Sequence, residues 1–408
     1  MNKLITLMLM LASIAGLAQT AYVPNYGSNN VTVINVATGT VITNVSVGSH
    51  PDGVAVNPQG TKAYIGNNGG TTVNAINIAT NTILDTITVG SQPYGMAVSP
   101  DGTRLYVANY GSNSLSVINA TVDTVLTTIS VGVEPGGVAV SPDGSKVYVT
   151  NWTDGTVSVI NTATNTVLIT VTVGSNPTGV AVTPDGSMVY VVNRSGSSVS
   201  VINATTNLVT STISVGSVPN GICISPNGTM AYVVNSVDWT VSVINIANNS
   251  VLATIPVGGH PFGISITPDG TKIYIADYNI GKVSVINTTT NTVTDSIVVG
   301  TNPYAFGNFI TNYPTNSGIA SLSSESGKVV VYPNPFSTST TVFINDTRTD
   351  NYTSLNIYDS IGKEIKSMKV GTSKRITINR EHLSVGMYYY KIITGKNEII
   401  GTGKMVID

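Results

Sequence analysis

Ionised side chains are scarce in this sequence. Only 9% of its 408 residues are Asp, Glu, Lys or Arg, against about 25% in an ordinary soluble domain. No part of the chain carries a basic stripe dense enough for a nucleic-acid surface. There is one cysteine, Cys223, so an intrachain disulfide is excluded and stability has to come from a packed core. Cys223 stands where sister segments have Ala or Ser, which predicts a buried, inert thiol on a strand. The chain has three histidines and two tryptophans. His50 and His260 stand alone; there is no His-x-x-x-His pair, no haem-attachment motif and no Gly-rich phosphate loop. Neither a cofactor nor a metal site is expected.

Long apolar runs are also absent, with one exception at the start. Lys3 precedes a mostly apolar stretch, Leu4 to Leu17, and small residues sit at Gly16 and Ala18. This reads as a secretory signal peptide over residues 1–18. The stretch is short for a membrane span, and no cysteine follows to accept a lipid. Export is expected, with no transmembrane segment.

What the chain has in abundance is Gly, Asn, Thr, Ser and Val, arranged with a 42-residue period. A Tyr-(Val/Ile)-x-(Asn/Asp) step or its close variant starts at Tyr22, Tyr64, Tyr106, Tyr148, Tyr190, Tyr232 and Tyr274. A proline recurs in step at Pro51, Pro93, Pro135, Pro177, Pro219, Pro261 and Pro303. Within residues 135–176, strand patterns fall at Gly137–Val140, Lys146–Thr150, Thr156–Ile160 and Thr166–Val173. The Pro142-Asp143-Gly144 turn separates the first two. Four short strands per unit of about 40–45 residues are the mark of a propeller blade. Residues 22–49 lack an innermost strand, and Tyr304–Ile310 supplies a single one. Pairing them closes an all-β ring of seven four-stranded blades over residues 19–310. Tyr148-Val149-Thr150-Asn151 spells in full the step for which a surface-layer type of propeller family is named, and the repeat region resembles that family. Related propellers serve as adhesive, structural and occasionally enzymatic domains, so the likeness implies a fold and leaves the ligand open.

Composition changes after the repeats. Residues 19–310 hold six Lys/Arg against twelve Asp/Glu, a balance of −6; residues 328–408 hold eleven against seven, +4. Residues 311–327 read as a Ser/Thr/Asn/Gly-rich linker, and the last 81 or so residues as a small β-sandwich. Tyr332-Pro333-Asn334-Pro335 opens this module, Gly386-Met387-Tyr388 lies within it, and Lys404-Met405-Val406 nearly ends the chain. In this order they resemble the C-terminal sorting domain of the type IX secretion system, in its type A form. That resemblance implies the type IX machinery as a partner, and an outer-membrane-surface or extracellular destination.

Function is sought where the repeats differ. Loops on one face carry Tyr26, Tyr110, Trp152, Arg194, Trp239 and Tyr278, while Tyr94, Phe262 and Tyr304 follow the repeat proline. Rings with polar neighbours are what sugars or extended peptides stack against; the structural alternative is packing between blades. His50, Asp52, Glu134 and His260 fall near the axial mouth. The first expectation is a non-catalytic binding, adhesion or structural surface protein with a glycan or protein partner. The alternative is a lactonase-like hydrolase or a lyase, which would need Asp52, Glu134, His50, His260 and Arg194 to converge on the axis.

Overall fold

The computed structural model describes residues 19–311 and, in the C-terminal part, 329–332, 338–344, 352–359, 364–371, 375–381, 383–384, 386–394 and 399–407. The expected signal peptide, Pro333-Asn334-Pro335 and the expected linker beyond Thr311 lie outside these residues. Thr311 itself still belongs to the propeller: its N–H donates to Thr20 O, and its carbonyl accepts from Gln19 Nε2. Two compact units are present, described here separately.

The first unit is the propeller. Six four-stranded antiparallel sheets span residues 51–88, 93–130, 135–172, 177–214, 219–256 and 261–298. These are blades two to seven. Blade one has three regular strands, Thr20–Asn25, Asn30–Asn35 and Thr40–Ser46. Residues 303–311 complete it through the bridges Asn25–Pro303 and Ala21–Ile310. Ring closure is as anticipated, but the closing segment is no regular strand. Ala305 and Gly307 have φ of 50° and 127°, and between them the chain turns to the next blade as well: Phe306 N–H donates to Asp52 O, and Val54 N–H to Phe306 O. After the repeat proline Pro303, Tyr-Ala-Phe stands where the other blades have x-Gly-aliphatic; Tyr304 faces the mouth and Phe306 lines the axial channel.

Apolar clusters lie between neighbouring blades. Tyr148, Val157 and Val159 of blade four, for example, share a cluster with Val189, Val191 and Ile202 of blade five. The repeated tyrosine is a fully buried wedge that reaches the next blade. Tyr22 Oη donates to Asn81 Oδ1 at 2.6 Å, Tyr190 Oη to Asn249 Oδ1 at 2.6 Å, and Tyr274 Oη closes the circle on Val36 O at 3.0 Å. The repeated asparagine satisfies its own blade: Asn151 Nδ2 donates to Thr156 and Ser158, and Asn193 Nδ2 to Ser198 and Ser200. The Pro-Asp-Gly turns are structural, as their recurrence suggested. Asp143 accepts from Ser141 Oγ and from Ser145 N–H and Oγ, which lowers its carboxyl to about 2.

In blades two to seven the innermost strands approach so closely that the residue two positions after the repeat proline is glycine. A Cβ on Gly179 would lie 2.5 Å from Asn220 O, and one on Gly221 would lie 2.6 Å from Phe262 O. The strands enclose an apolar axial channel of about 590 Å³. Cys223 lines it half-buried, a correction to the fully buried position expected, because an innermost-strand side chain faces the channel. Its apolar surroundings still push the thiol well above the usual range.

The C-terminal unit has a three-stranded sheet (residues 329–332, 339–344, 375–379) and a four-stranded one (364–371, 352–358, 386–394, 399–407). They share a core that includes Val342, Leu355, Ile357, Ile378, Tyr390 and Ile392. Glu364–Gly371 forms the edge of the four-stranded sheet, pairing with Tyr352–Tyr358 although its lysines interrupt the apolar alternation.

Two predictions follow from packing. Gly179→Ala drives a methyl group into backbone that cannot retreat, and thermal unfolding is expected to show a loss of at least about 2 kcal/mol, typical of overpacking. The second concerns Asp277, which replaces the repeat asparagine in blade seven. It is fully buried, accepts from Ser284 Oγ at 2.5 Å, and leaves Oδ1 without a partner. Burial raises its carboxyl to about 7, against the opposing pull of the Ser284 hydrogen bond. An unfolded Asp ionises near ~4, so stability falls as pH rises between these values and levels off above the upper one. Asp277→Asn is therefore expected to raise the melting temperature strongly at pH 8 and little at pH 4. By linkage the difference is on the order of 3 kcal/mol, to be read by calorimetry at the two pH values.

Candidate binding cup at the axial mouth

One backbone bond per blade builds the mouth. The first residue after the repeated Asn (Asp277 in blade seven) donates its N–H to the carbonyl of the residue before the repeat proline: Tyr110 to Gln92, Trp152 to Glu134, Arg194 to Asn176, Tyr278 to His260. Two concentric rings of side chains result. The outer ring, in blade order, is Tyr26, Asn68, Tyr110, Trp152, Arg194, Ser236 and Tyr278. The inner ring, just after the proline, is Tyr304, Asp52, Tyr94, Gly136, Thr178, Asn220 and Phe262.

Members of both rings line one cavity at the mouth, whereas Tyr110, Trp152, Arg194, His50 and Glu134 do not line it. Tyr304 is its hub: its ring stacks on Phe262 at 4.5 Å and meets Tyr26, Tyr94 and Tyr278 at 6.0–6.2 Å. Its hydroxyl lies 2.8 Å from that of Tyr94. Tyr94 packs on Tyr110 and on Phe306. Tyr26, Asp52, Asn68, Tyr94, His260, Phe262, Tyr278, Asn279 and Tyr304 line a cavity of about 460 Å³. Asn68 and Asn279 were not singled out from sequence, although Asn68 stands in the same 42-residue series as Tyr26.

The two histidines differ. His50, with φ of 49°, is exposed and stacks on Tyr26 at 4.4 Å. Ahead of His260 it is Gly259 that takes the positive φ, 112°, so His260 turns inward, half-buried, against Phe262 at 4.9 Å. Burial first, then the Arg194 charge, lower its imidazole below the usual range. Asp52 is 2% exposed and accepts from the Gly53 N–H at 2.5 Å. Burial holds its carboxyl well above the ordinary range despite that bond. Arg194 lies with Cζ 5.3 Å from the centroid of the Trp152 ring. Glu134 accepts from Thr153 Oγ1 and sits beside Tyr110; burial, then the Glu134 charge, raises that phenol to about 12.

Trp239 does not join the cup. It lies three positions beyond the outer ring, at φ 55°, with 54% of its surface exposed. It makes no ring contact among the described residues. The 42-residue register distinguishes it from Trp152, a signal that grouping both simply as loop tryptophans passed over. Among the described residues no three His, Cys, Asp or Glu side chains are grouped to hold a metal. None of His50, Asp52, His260 and Arg194 is hydrogen-bonded to another of the four. In the C-terminal unit, Tyr332, Gly386 and Lys404 lie on strands, and Tyr388 Oη donates to Ser384 O.

Comparison with known proteins adds the following. Residues 330–408 match the family model of the secretion system C-terminal sorting domain, and residues 119–225 match that of the seven-bladed propeller lactonases. No curated protein sequence matches the chain. Among solved structures, Kuenenia stuttgartiensis hydrazine synthase is 22% identical with a TM-score of 0.62, over 70% of this chain and 99% of that one. A putative 6-phosphogluconolactonase from Bacteroides uniformis is 19% identical with a TM-score of 0.61, over 70% and 98%. A functionally unknown protein from Desulfotomaculum acetoxidans is 16% identical with a TM-score of 0.65, over 72% and 99%. At these identities the likeness is one of fold. The chain is a seven-bladed β-propeller joined to a type IX C-terminal sorting domain, which directs it to the outer-membrane surface or the extracellular space.

Proposed function

We propose that the propeller is a non-catalytic binding module that captures a small ligand, or one residue of a polymer, in its axial cup at or beyond the cell surface. One observation carries this reading: the two rings bring aromatic faces and buried polar groups together around a single concavity. Its volume lies within the range of small-molecule sites and is too small to seat a folded partner. Aromatic rings alternating with Asn68, Asn279 and His260 offer both stacking and hydrogen bonding.

Glycan- and peptide-array binding by the mature full-length chain tests it. Tyr278→Ala and Tyr26→Ala are each expected to weaken binding tenfold or more, about 1.4 kcal/mol. Trp239→Ala, outside the cup, should leave it unchanged. Binding that survives both cup variants would place the site elsewhere.

A second reading, lactone hydrolysis, draws on the family match over residues 119–225 and on Asp52 and His260 lining one cavity, with Arg194 in the outer ring of the same mouth. It requires turnover of sugar lactones that Asp52→Asn and His260→Asn each abolish. For the sorting domain, removal of residues 328–408 is expected to leave the propeller in the periplasm of the native host, as read by cell fractionation.

A further inference from the structure

Arg194 is the only Lys or Arg of the two rings, and among the described residues no carboxylate neutralises it. Its Nε is buried without a hydrogen-bond partner, and no described carboxylate pairs with it. Its guanidinium lies over the Trp152 face. Glu134 of the adjoining blade is engaged by Thr153 and Tyr110. Asp52 is enclosed, bonded to its own Gly53 N–H, and shifted toward the neutral acid. The guanidinium charge is nevertheless felt across the axis, at Tyr94 and Tyr304 as well as His260. A second polar atom, His260 Nδ1, is likewise buried and unpartnered. The mouth thus carries a planar cation with an unpartnered Nε, Arg194 of the outer ring, together with a cavity of stacked aromatic faces and neutral hydrogen-bonding groups that Arg194 does not itself line, in a propeller whose overall balance is −6.

We propose that the cup recognises a sugar ring bearing a carboxylate, a uronic-acid residue of an acidic glycan. This rests on the binding reading above. The carboxylate pairs with Arg194, since a planar guanidinium matches a planar carboxylate through parallel N–H···O bonds. The C–H face of the ring stacks on the aromatic side of the cup, Phe262, Tyr278 and Tyr304. The hydroxyls exchange hydrogen bonds with Asn68, Asn279 and His260 Nδ1. A purely hydrophobic ligand would leave Arg194 Nε and His260 Nδ1 unpaired, which the low polarity of the site penalises.

The test is calorimetric titration of the mature full-length chain with glucuronate, galacturonate and mannuronate tetrasaccharides, each beside its methyl ester. At least one acid series is expected to bind tenfold or more tightly than its ester. Arg194→Gln should erase that preference by bringing acid binding down to the level of the ester, with the melting temperature in place, and Arg194→Lys should retain part of it. Tyr278→Ala should weaken acid and ester alike. Equal binding of acid and ester, a preference that survives Arg194→Gln, or no titration by any uronate overturns the proposal. An acidic peptide that takes the cup in an Arg194-dependent way, with no uronate binding, overturns the sugar assignment. If a neutral glycan or peptide binds and Tyr278→Ala removes it, only this proposal fails; if nothing binds in a cup-dependent way, the binding reading fails too.

Discussion

Each blade of this propeller has a face that is apolar until the next blade covers it, so the ring is stable only when the last sheet meets the first. Here that meeting is made by two stretches almost a full domain apart in sequence. Tyr22 N–H reaches Phe309 O, Tyr304 N–H reaches Pro24 O, and Thr20 N–H reaches Thr311 Oγ1, 291 residues away. The entropy of closing so long a loop grows only slowly with length. A few hydrogen bonds, together with the burial of Phe309, Ile310 and Ala21, suffice without a disulfide.

Closure also dictates what the repeat must keep. Buried tyrosine wedges, asparagines that satisfy two hydroxyls of their own sheet, and glycines where strands nearly touch leave little freedom within a blade. Freedom survives where side chains leave the packed layers. The two rings at the mouth are such places, and there the seven units differ in chemistry rather than only in aliphatic size. A binding site on this fold is therefore written into the exceptions to the repeat, while the repeat itself holds them in position.

That division explains what could be read in advance. Periodicity reports what the units share, so blade number, turn chemistry and the shared duty of first and last segments were all legible. Tyr26, Tyr94, Arg194 and Tyr304 were legible as deviations. The convergence of the three tyrosines was not, because it depends on how far each side chain reaches across the axis. His260 shows the difficulty: it aligns with His50, but the glycine before it takes the left-handed turn and swings it inward. Tyr304 shows it again: it stands in the same register as Asp52 and Tyr94, and only the packed structure makes it the ring that meets Tyr26, Tyr94, Phe262 and Tyr278.

The closing segment ties recognition to topology. The residue at the hub of the cup is carried by the last stretch of the propeller to be synthesised, and that stretch is hydrogen-bonded to blade one and blade two together. A chain whose latch is open has no Tyr304 in the mouth and no Phe306 beneath Tyr94, so it has no complete cup. Occupancy and latching are thus thermodynamically linked: a ligand that binds only the shut ring stabilises the shut ring by mass action. A ligand taken up as proposed would act as a clasp on the ring that captured it.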